Sequence, residues 1–240
     1  MTAAGRRTVA VHQPNFLPWL GYFAKYLSAD VFVFLNDAQL QKTGGSIVNR
    51  VKFNFGGEAR WVSIALDRRF SGVRKICQVQ VKDEETVSGA YRSIASQYRN
   101  APFFGEADTL LRRCLADVDG SLADWNQRNI EWTIEALGLP PREVVRSSDL
   151  SVAGTATARL VEIVRALGGT TYIHGTGALA YQENELFGES GIDLAPLAFS
   201  HPSYWQPGTA AFLPGLSVFD AIANCGLVAT RELLVSSLVH

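Results

Sequence analysis

The chain has 240 residues, 47% hydrophobic, 10% aromatic and only 19% charged, a balance that excludes intrinsic disorder, collagen-like sequence and a coiled coil. Its 22 Lys and Arg against 23 Asp and Glu give a formal charge of -1, so there is no global attraction to nucleic acid or anionic lipid and any anion site must be local. Three widely separated cysteines, Cys77, Cys114 and Cys225, do not form a disulfide framework and point to a reducing, cytoplasmic setting.

The length suits one α/β domain over residues 1–240. The start of the chain lacks the pattern of a signal peptide. The longest strongly apolar run, Val31 to Leu35, is far below the roughly 20 residues of a membrane helix, so no membrane partner is expected.

Thr8 to Val11 reads as a buried strand, His12 to Pro18 as a loop, Trp19 to Leu27 as a helix and Val31 to Leu35 as a second buried strand, together one βαβ unit. Asn36 to Arg50 reads as a long loop over the strand ends. Arg60 to Leu66 and Ile76 to Val81 read as strands of a hairpin separated by a polar turn. Helical spacing over Glu85 to Tyr98, Thr109 to Leu115 and Ser121 to Leu137 predicts a helical insert at about 85–140, stopped by Gly138, Pro140 and Pro141. Alternation then resumes: strand Glu143 to Arg146, helix Thr155 to Leu167, strands Thr170 to His174 and Ile192 to Leu197. Ser217 and Asp220 suggest a capping box on a last helix, Val218 to Asn224, with Gly226 as its stop. The fold class expected is α/β, a mostly parallel sheet flanked by helices with a helical middle segment.

The densest chemical signal is His12-Gln13-Pro14-Asn15, polar residues at the carboxyl end of the first strand and just before a helix, where open α/β sheets bind ligands. A histidine there can act as base or hydrogen-bond donor near neutral pH; the alternative is that His12 and Asn15 merely satisfy loop backbone groups. Asp37, Lys42, Asn49 and Arg50 follow the second strand, with Lys42 and Arg50 suited to phosphate or carboxylate. Asp37, at the end of a buried strand, is the better candidate, and Lys42 reads more readily as a solvated loop charge.

His174-Gly175-Thr176-Gly177 fits a permissive dinucleotide fingerprint, but too little chain follows for a second mononucleotide half. A tight turn is an equal reading, with His174, Gly175 and Tyr181 otherwise lining a ligand. Ser147, Ser148 and Asp149 are a good turn sequence that could also reach a pocket edge, and Tyr204 belongs to an aromatic loop able to stack on a substrate or cover the core. Cys225 is imaginable as a nucleophile, but its place at a helix C-terminus opposes a lowered thiolate pKa. The nearest approach to a metal-ligand set, His12 with Asp37, does not make one, and nucleic acid is not expected as a partner because aromatics do not interleave with basic runs.

The run HQPNFLPWLGYFAKYLSADVFVFLNDAQLQK, followed in order by Asn49-Arg50, Arg146-Ser147-Ser148-Asp149-Leu150, Tyr172-Ile173-His174-Gly175 and Leu216-Ser217-Val218-Phe219-Asp220 with Asn224 and Gly226, resembles the WbqC-like protein family over nearly the whole chain. That resemblance implies a role in O-antigen or natural-product biosynthesis, with transfer of a glycyl, other aminoacyl or acyl group to an amine of a sugar or secondary metabolite. Asn36-Asp37 stands where an Asp-Asp pair is expected in the family, which argues against a two-carboxylate metal site. In this reading His12 takes the proton from the attacking amine, Asn15 or Gln13 holds the developing oxyanion and Asp37 orients the amine or the imidazole. Gln13, Tyr22, Lys42, Asn49, Arg50, Ser148, His174, Gly175 and Tyr204 would bind substrate.

No cofactor is expected, with ATP or a carrier-protein thioester as candidate donors, a small-molecule amine as acceptor and a carrier protein as a candidate partner. His12 with Gly21-Tyr22 is also similar to the HxGH region of nucleotidylyltransferases, Tyr22 standing for the second histidine. This second reading implies an ATP- or CTP-dependent ligase, though no Lys-Met-Ser-Lys-Ser-like loop accompanies it. A non-catalytic small-molecule or carrier-protein binding module is the third.

Overall fold

The computed structural model describes residues 5–40, 46–175 and 183–238. Its contacts divide into two compact units: Met1–Gln13, Ala24–Leu35 and Pro140–Ala198 form unit 1, and Pro14–Phe23, Asn36–Leu139 and Phe199–His240 form unit 2. The fold class is α/β, as the sequence pattern predicts.

Unit 1 holds a five-stranded parallel sheet built from β1 (Thr8–His12), β2 (Val31–Phe34), β5 (Glu143–Arg146), β6 (Thr171–His174) and β7 (Asp193–Pro196), in the order β5-β2-β1-β6-β7. The β-branched and aromatic runs TVAVH and VFVF supply the central strands, buried as parallel strands covered on both faces must be. On one face Val9, Val11, Val31 and Val33 pack with Tyr172, with Val161 and Val164 of α5 (Ala156–Ala166) and with Phe187 of α6 (Asn184–Glu189). Phe32 alternates to the other face, where Tyr26 meets it edge-on with ring centroids 5.6 Å apart. Gly169, just before β6, is needed for close approach: a Cβ there would lie 2.5 Å from a methyl of Val9.

Unit 2 contains the antiparallel hairpin of β3 (Arg50–Phe55) and β4 (Glu58–Ser63) and the helices α2 (Glu84–Tyr98), α3 (Phe104–Leu115), α4 (Leu122–Ala136) and α7 (Val218–Ser236). Helix α1 (Leu20–Leu27) is divided by the grouping, Leu20 to Phe23 falling in unit 2 and Ala24 to Leu27 in unit 1. The middle helices start on side-chain caps: the Asp83 carboxylate accepts from the Thr86 amide at 2.9 Å, and Ser121 and Asp124 form a capping box.

Three sequence expectations are corrected. The hairpin is not formed by Arg60 to Leu66 with Ile76 to Val81. Its first strand is Arg50–Phe55, within and just beyond the expected loop, and Ile76–Gln78 is a short 3-10 helix, leaving only a single bridge between Leu66 and Val81. The expected capping box on α7 does not form either. The Ser217 hydroxyl accepts weakly from the Phe219 amide, at 3.4 Å, whereas the Asp220 carboxylate is taken up by Tyr98, Tyr204 and Gln206. Lastly, Gly226 does not end the helix. It adopts φ 84°, ψ 167° and kinks it, and the chain resumes helically because the Glu106 carboxylate accepts from the Leu227 amide at 2.8 Å, a side-chain cap supplied from α3.

The hairpin turn explains its glycines. Gly56 and Gly57 both have positive φ, 64° and 94°, as a two-residue turn matched to strand twist requires. The Gly57 amide donates to Asn54 Oδ1 at 2.8 Å, and Asn54 Nδ2 donates to the Pro207 carbonyl at 2.9 Å. A Cβ on Gly57 would stand 2.1 Å from the Gly208 carbonyl oxygen. The substitution Gly57→Ala is therefore expected to lower stability by more than about 1 kcal/mol, read as a lower urea midpoint with unchanged m-value. An unchanged midpoint would show that the turn and Gly208 separate without cost.

Candidate functional site

The strand order of unit 1 runs outward in two directions from the β1–β6 pair: β2 and β5 lie on one side and β7 on the other. Open parallel sheets form their ligand crevice at such a reversal, beyond the carboxyl ends of the strands. Those ends are His12 of β1 and His174 of β6.

His12 is partly exposed, yet its ring is strongly desolvated, and together with the Lys25 ammonium this lowers its pKa to about 3 despite the Gln13 carbonyl, which acts in the opposite direction. The ring Nδ1 lies 3.1 Å from that carbonyl oxygen. A carbonyl can only accept, so Nδ1 carries the proton and Nε2 the lone pair. Lys25, 6% exposed, donates from Nζ to the Val11 carbonyl at 2.9 Å, and its ammonium lies 5.7 Å from the Tyr172 ring centroid. Burial lowers its pKa to about 8, which brings a lysine into the range where it exchanges a proton near neutral pH.

His12 and Lys25 therefore differ in their affinity for a proton. A group with a pKa near 3 is neutral throughout the working range but a weak base, whereas Lys25 holds and releases a proton close to pH 8. Lys25 was not a sequence candidate. It is the sole charged residue of the segment LGYFAKYL, and that isolation was the available signal, masked because a helical lysine ordinarily reads as a solvated one.

His174 is buried, with Nδ1 3.4 Å from the Gly175 carbonyl, and a Cβ on Gly175 would meet no atom of the described residues within 4 Å. The register Thr8↔Thr171, Val9↔Tyr172, Ala10↔Ile173 places His12 in the alternation set of Ala10 and His174 in that of Val9, so the two histidines belong to opposite faces of the sheet. Ser147–Asp149 is a 3-10 turn closing β5, and the Ser148 hydroxyl donates to its neighbour Asp149 at 3.1 Å.

Asn15, Tyr22, Asp37, Asn49, Arg50 and Tyr204 belong to unit 2, whereas His12 belongs to unit 1, so no single unit contains His12, Asn15 and Asp37 together. Asp37 is buried and paired with Lys75 at 3.4 Å. Asn49 Nδ2 donates to the Ile64 carbonyl at 2.9 Å, a structural bond at the hairpin mouth. Tyr22 is enclosed in the core, and burial raises its pKa. Tyr204 donates its hydroxyl to Asp220 at 2.7 Å. Asn15 and Arg50 line a groove of unit 2. The thiol of Cys225 is pushed up by burial and by the Asp220 carboxylate, opposite to the requirement for a nucleophile. Lys42 and Tyr181 lie outside the described residues.

Among the described residues, no group of three or more His, Cys, Asp or Glu is placed to hold a metal, and no helix is long and apolar enough to cross a membrane.

Taken alone, unit 1 defines an open parallel α/β architecture with polar residues at its topological reversal. The chain belongs to the WbqC-like protein family, whose model matches residues 13–232. It is 25% identical over 224 residues to the uncharacterized protein Rv1507c of Mycobacterium tuberculosis, covering 93% of this chain and 96% of that protein. No solved structure matches it.

The His12 environment has a direct thermodynamic consequence. Because its pKa is lowered on folding, the unfolded chain binds a proton below pH 6.5 that the folded chain refuses until about pH 3. Its contribution to stability is therefore lost progressively as pH falls through that window. Replacing it by Gln is expected to flatten the fall of Tm between pH 6.5 and 4. A slope equal to that of the wild type would show that His12 is protonated in the native state.

Proposed function

We propose that the protein is a transferase that moves an aminoacyl or acyl group from an activated donor to an amine of a sugar or secondary metabolite. The observation that carries this reading is the pairing of a neutral imidazole with a buried lysine of lowered pKa, His12 beside Lys25, at the carboxyl end of β1. The resemblance stated for the family's sequence motifs supplies the reaction class, and membership of that family supports it.

In this mechanism the acceptor amine attacks the carbonyl carbon of the donor, forming the new C–N bond and a tetrahedral intermediate. The intermediate collapses with cleavage of the bond to the leaving group, a thiolate for a thioester donor. Nε2 of His12 accepts a hydrogen bond from the amine N–H and aligns the nitrogen lone pair. Neutral Lys25 accepts the proton the amine loses, and the resulting ammonium passes it to the departing thiolate or to solvent. Desolvation favours this division of labour: it keeps His12 an acceptor and makes the neutral form of Lys25 accessible.

The test uses an aminoacyl thioester of N-acetylcysteamine as donor and glucosamine, free or nucleotide-linked, as acceptor, with thiol release and amide product both measured. Turnover is expected to rise with pH toward an inflection near 8, where Lys25 loses its proton. Lys25→Met is expected to remove that inflection and to reduce kcat by roughly 100-fold or more, in the range general-base catalysis contributes. His12→Ala should reduce activity while the fold survives, with His12→Gln retaining more of it. Wild-type turnover in His12→Ala and Lys25→Met together would overturn the assignment. Stabilisation by ATP or CTP alone, with no amide formed from any thioester, would instead favour nucleotide-dependent activation.

A further inference from the structure

Unit 2 contains a groove of about 230 Å³, below the roughly 300 Å³ at which sites for drug-sized ligands begin, and thus of a size for a small metabolite. Its side chains divide into three sets. Phe16, Pro18, Trp19, Ile47, Val51 and Pro214 give it apolar walls. Arg50 and Lys52 bring positive charge, and no carboxylate is among the described lining residues. Asn15, 2% exposed, is among the lining residues, and its buried Oδ1 has no hydrogen-bond partner among the described residues.

The cations are held by an aromatic platform. Arg50 and Lys52 lie two residues apart on β3, so strand alternation puts them on the same face, and Lys52 pairs across the hairpin with Trp61. The guanidinium carbon of Arg50 is 4.3 Å and Nζ of Lys52 is 5.1 Å from the Trp61 ring centroid. Two positive charges drawn to one half-exposed ring repel each other, and a bound anion removes that repulsion. A guanidinium and an ammonium on one face can each donate to an anionic oxygen. A buried acceptor left unpaired costs free energy that a ligand N–H or O–H recovers on binding.

We propose that this groove binds a small organic anion, a carboxylate or phosphate joined to a flat or apolar body that carries one hydrogen-bond donor. The anionic group pairs with Arg50 and Lys52, the body lies along Phe16, Trp19 and Ile47, and the donor meets Asn15 Oδ1. This assignment is independent of the acyl-transfer reading, because it concerns binding and uses residues of unit 2 alone.

Three probes that share one ring and one N–H separate the contributions: indole-3-acetate, indoxyl phosphate and uncharged indole. Isothermal titration against the full chain is expected to show at least one anionic probe binding tenfold or more tighter than indole. The phosphate probe binding more tightly identifies a phosphate site, and the acetate probe binding more tightly a carboxylate site. Lys52→Gln, on an accessible strand position where folding is not at stake, should remove most of that advantage and weaken its dependence on salt. Asn15→Ala should weaken all three probes alike, since each offers the same N–H. Equal affinity of indole and both anions for the wild type would overturn the proposal, as would an anion preference unchanged in Lys52→Gln.

Discussion

A carboxylate with no exposure to solvent, Asp220 in the first turn of α7, sets the conditions for much of unit 2. A charge taken out of water is tolerated only when fully provided with donors. Its two oxygens draw three: Tyr98 Oη at 2.6 Å to one, and Tyr204 Oη at 2.7 Å and Gln206 Nε2 at 3.1 Å to the other. Burial raises its pKa while these donors act in the opposite direction. The network extends outward. Tyr98 Oη also accepts from the Asn54 amide at 2.9 Å, and Gln206 Oε1 accepts from the Leu213 amide at 2.8 Å. One acidic residue thereby joins α2, the β3–β4 hairpin, the 199–216 segment and α7. Tyr98 of α2 and Tyr204 and Gln206 of the 199–216 segment would each lose a hydrogen-bond acceptor if the carboxylate were absent.

The same segment returns to the hairpin through a second contact that depends on the absence of side chains. Gly57 and Gly208 meet backbone to backbone, and Asn54 serves both the turn and Pro207. The Trp61 platform and its two cations are borne on that hairpin. The groove is lined by β3, by the loop after Pro14 and by Pro214–Gly215, and the far end of the same hairpin is tied to Pro207 and Gly208.

In unit 1 desolvation, rather than a carboxylate partner, sets the proton affinities of His12 and Lys25. Neither His12 nor Lys25 owes its lowered pKa chiefly to another charge. The main cause for both is burial at the end of a sheet whose interior is valine, phenylalanine and tyrosine. The Lys25 ammonium is retained there by the Val11 carbonyl and the Tyr172 ring and adds to the suppression of charge on His12. Two bases are thus set at different strengths by one environment.

Strands whose burial is complete were legible because both their faces demand apolar residues: VFVF and TVAV admit few other readings. The helices from Glu84 to Ala136 were legible from their 3.6-residue spacing and from caps encoded within three or four residues. The hairpin was misplaced because RVKFNF carries alternating polar residues, and its loop-like neighbours Asn49 and Gly56 disguise it. Its proper partner could be recognised only by pairing, Lys52 with Trp61 and Arg50 with Ser63. Gly226 reads locally as a helix stop, and the continuation beyond it depends on Glu106, 121 residues away in sequence.

The sequence by itself determined the α/β class, the central strands, the helical middle and the family, because each rests on local periodicity or on contiguous motif residues. The tertiary structure alone decided which polar residues meet. It placed Lys25 beside His12, put His12 and His174 on opposite faces of one sheet, assigned Asp220 to two tyrosines and a glutamine, and assembled Asn15 with Arg50, Lys52 and Trp61. Those relations depend on burial and long-range pairing. The pKa and hydrogen-bonding capacity of a side chain are properties of the dielectric and the partners around it, and neither is carried by its neighbours in sequence.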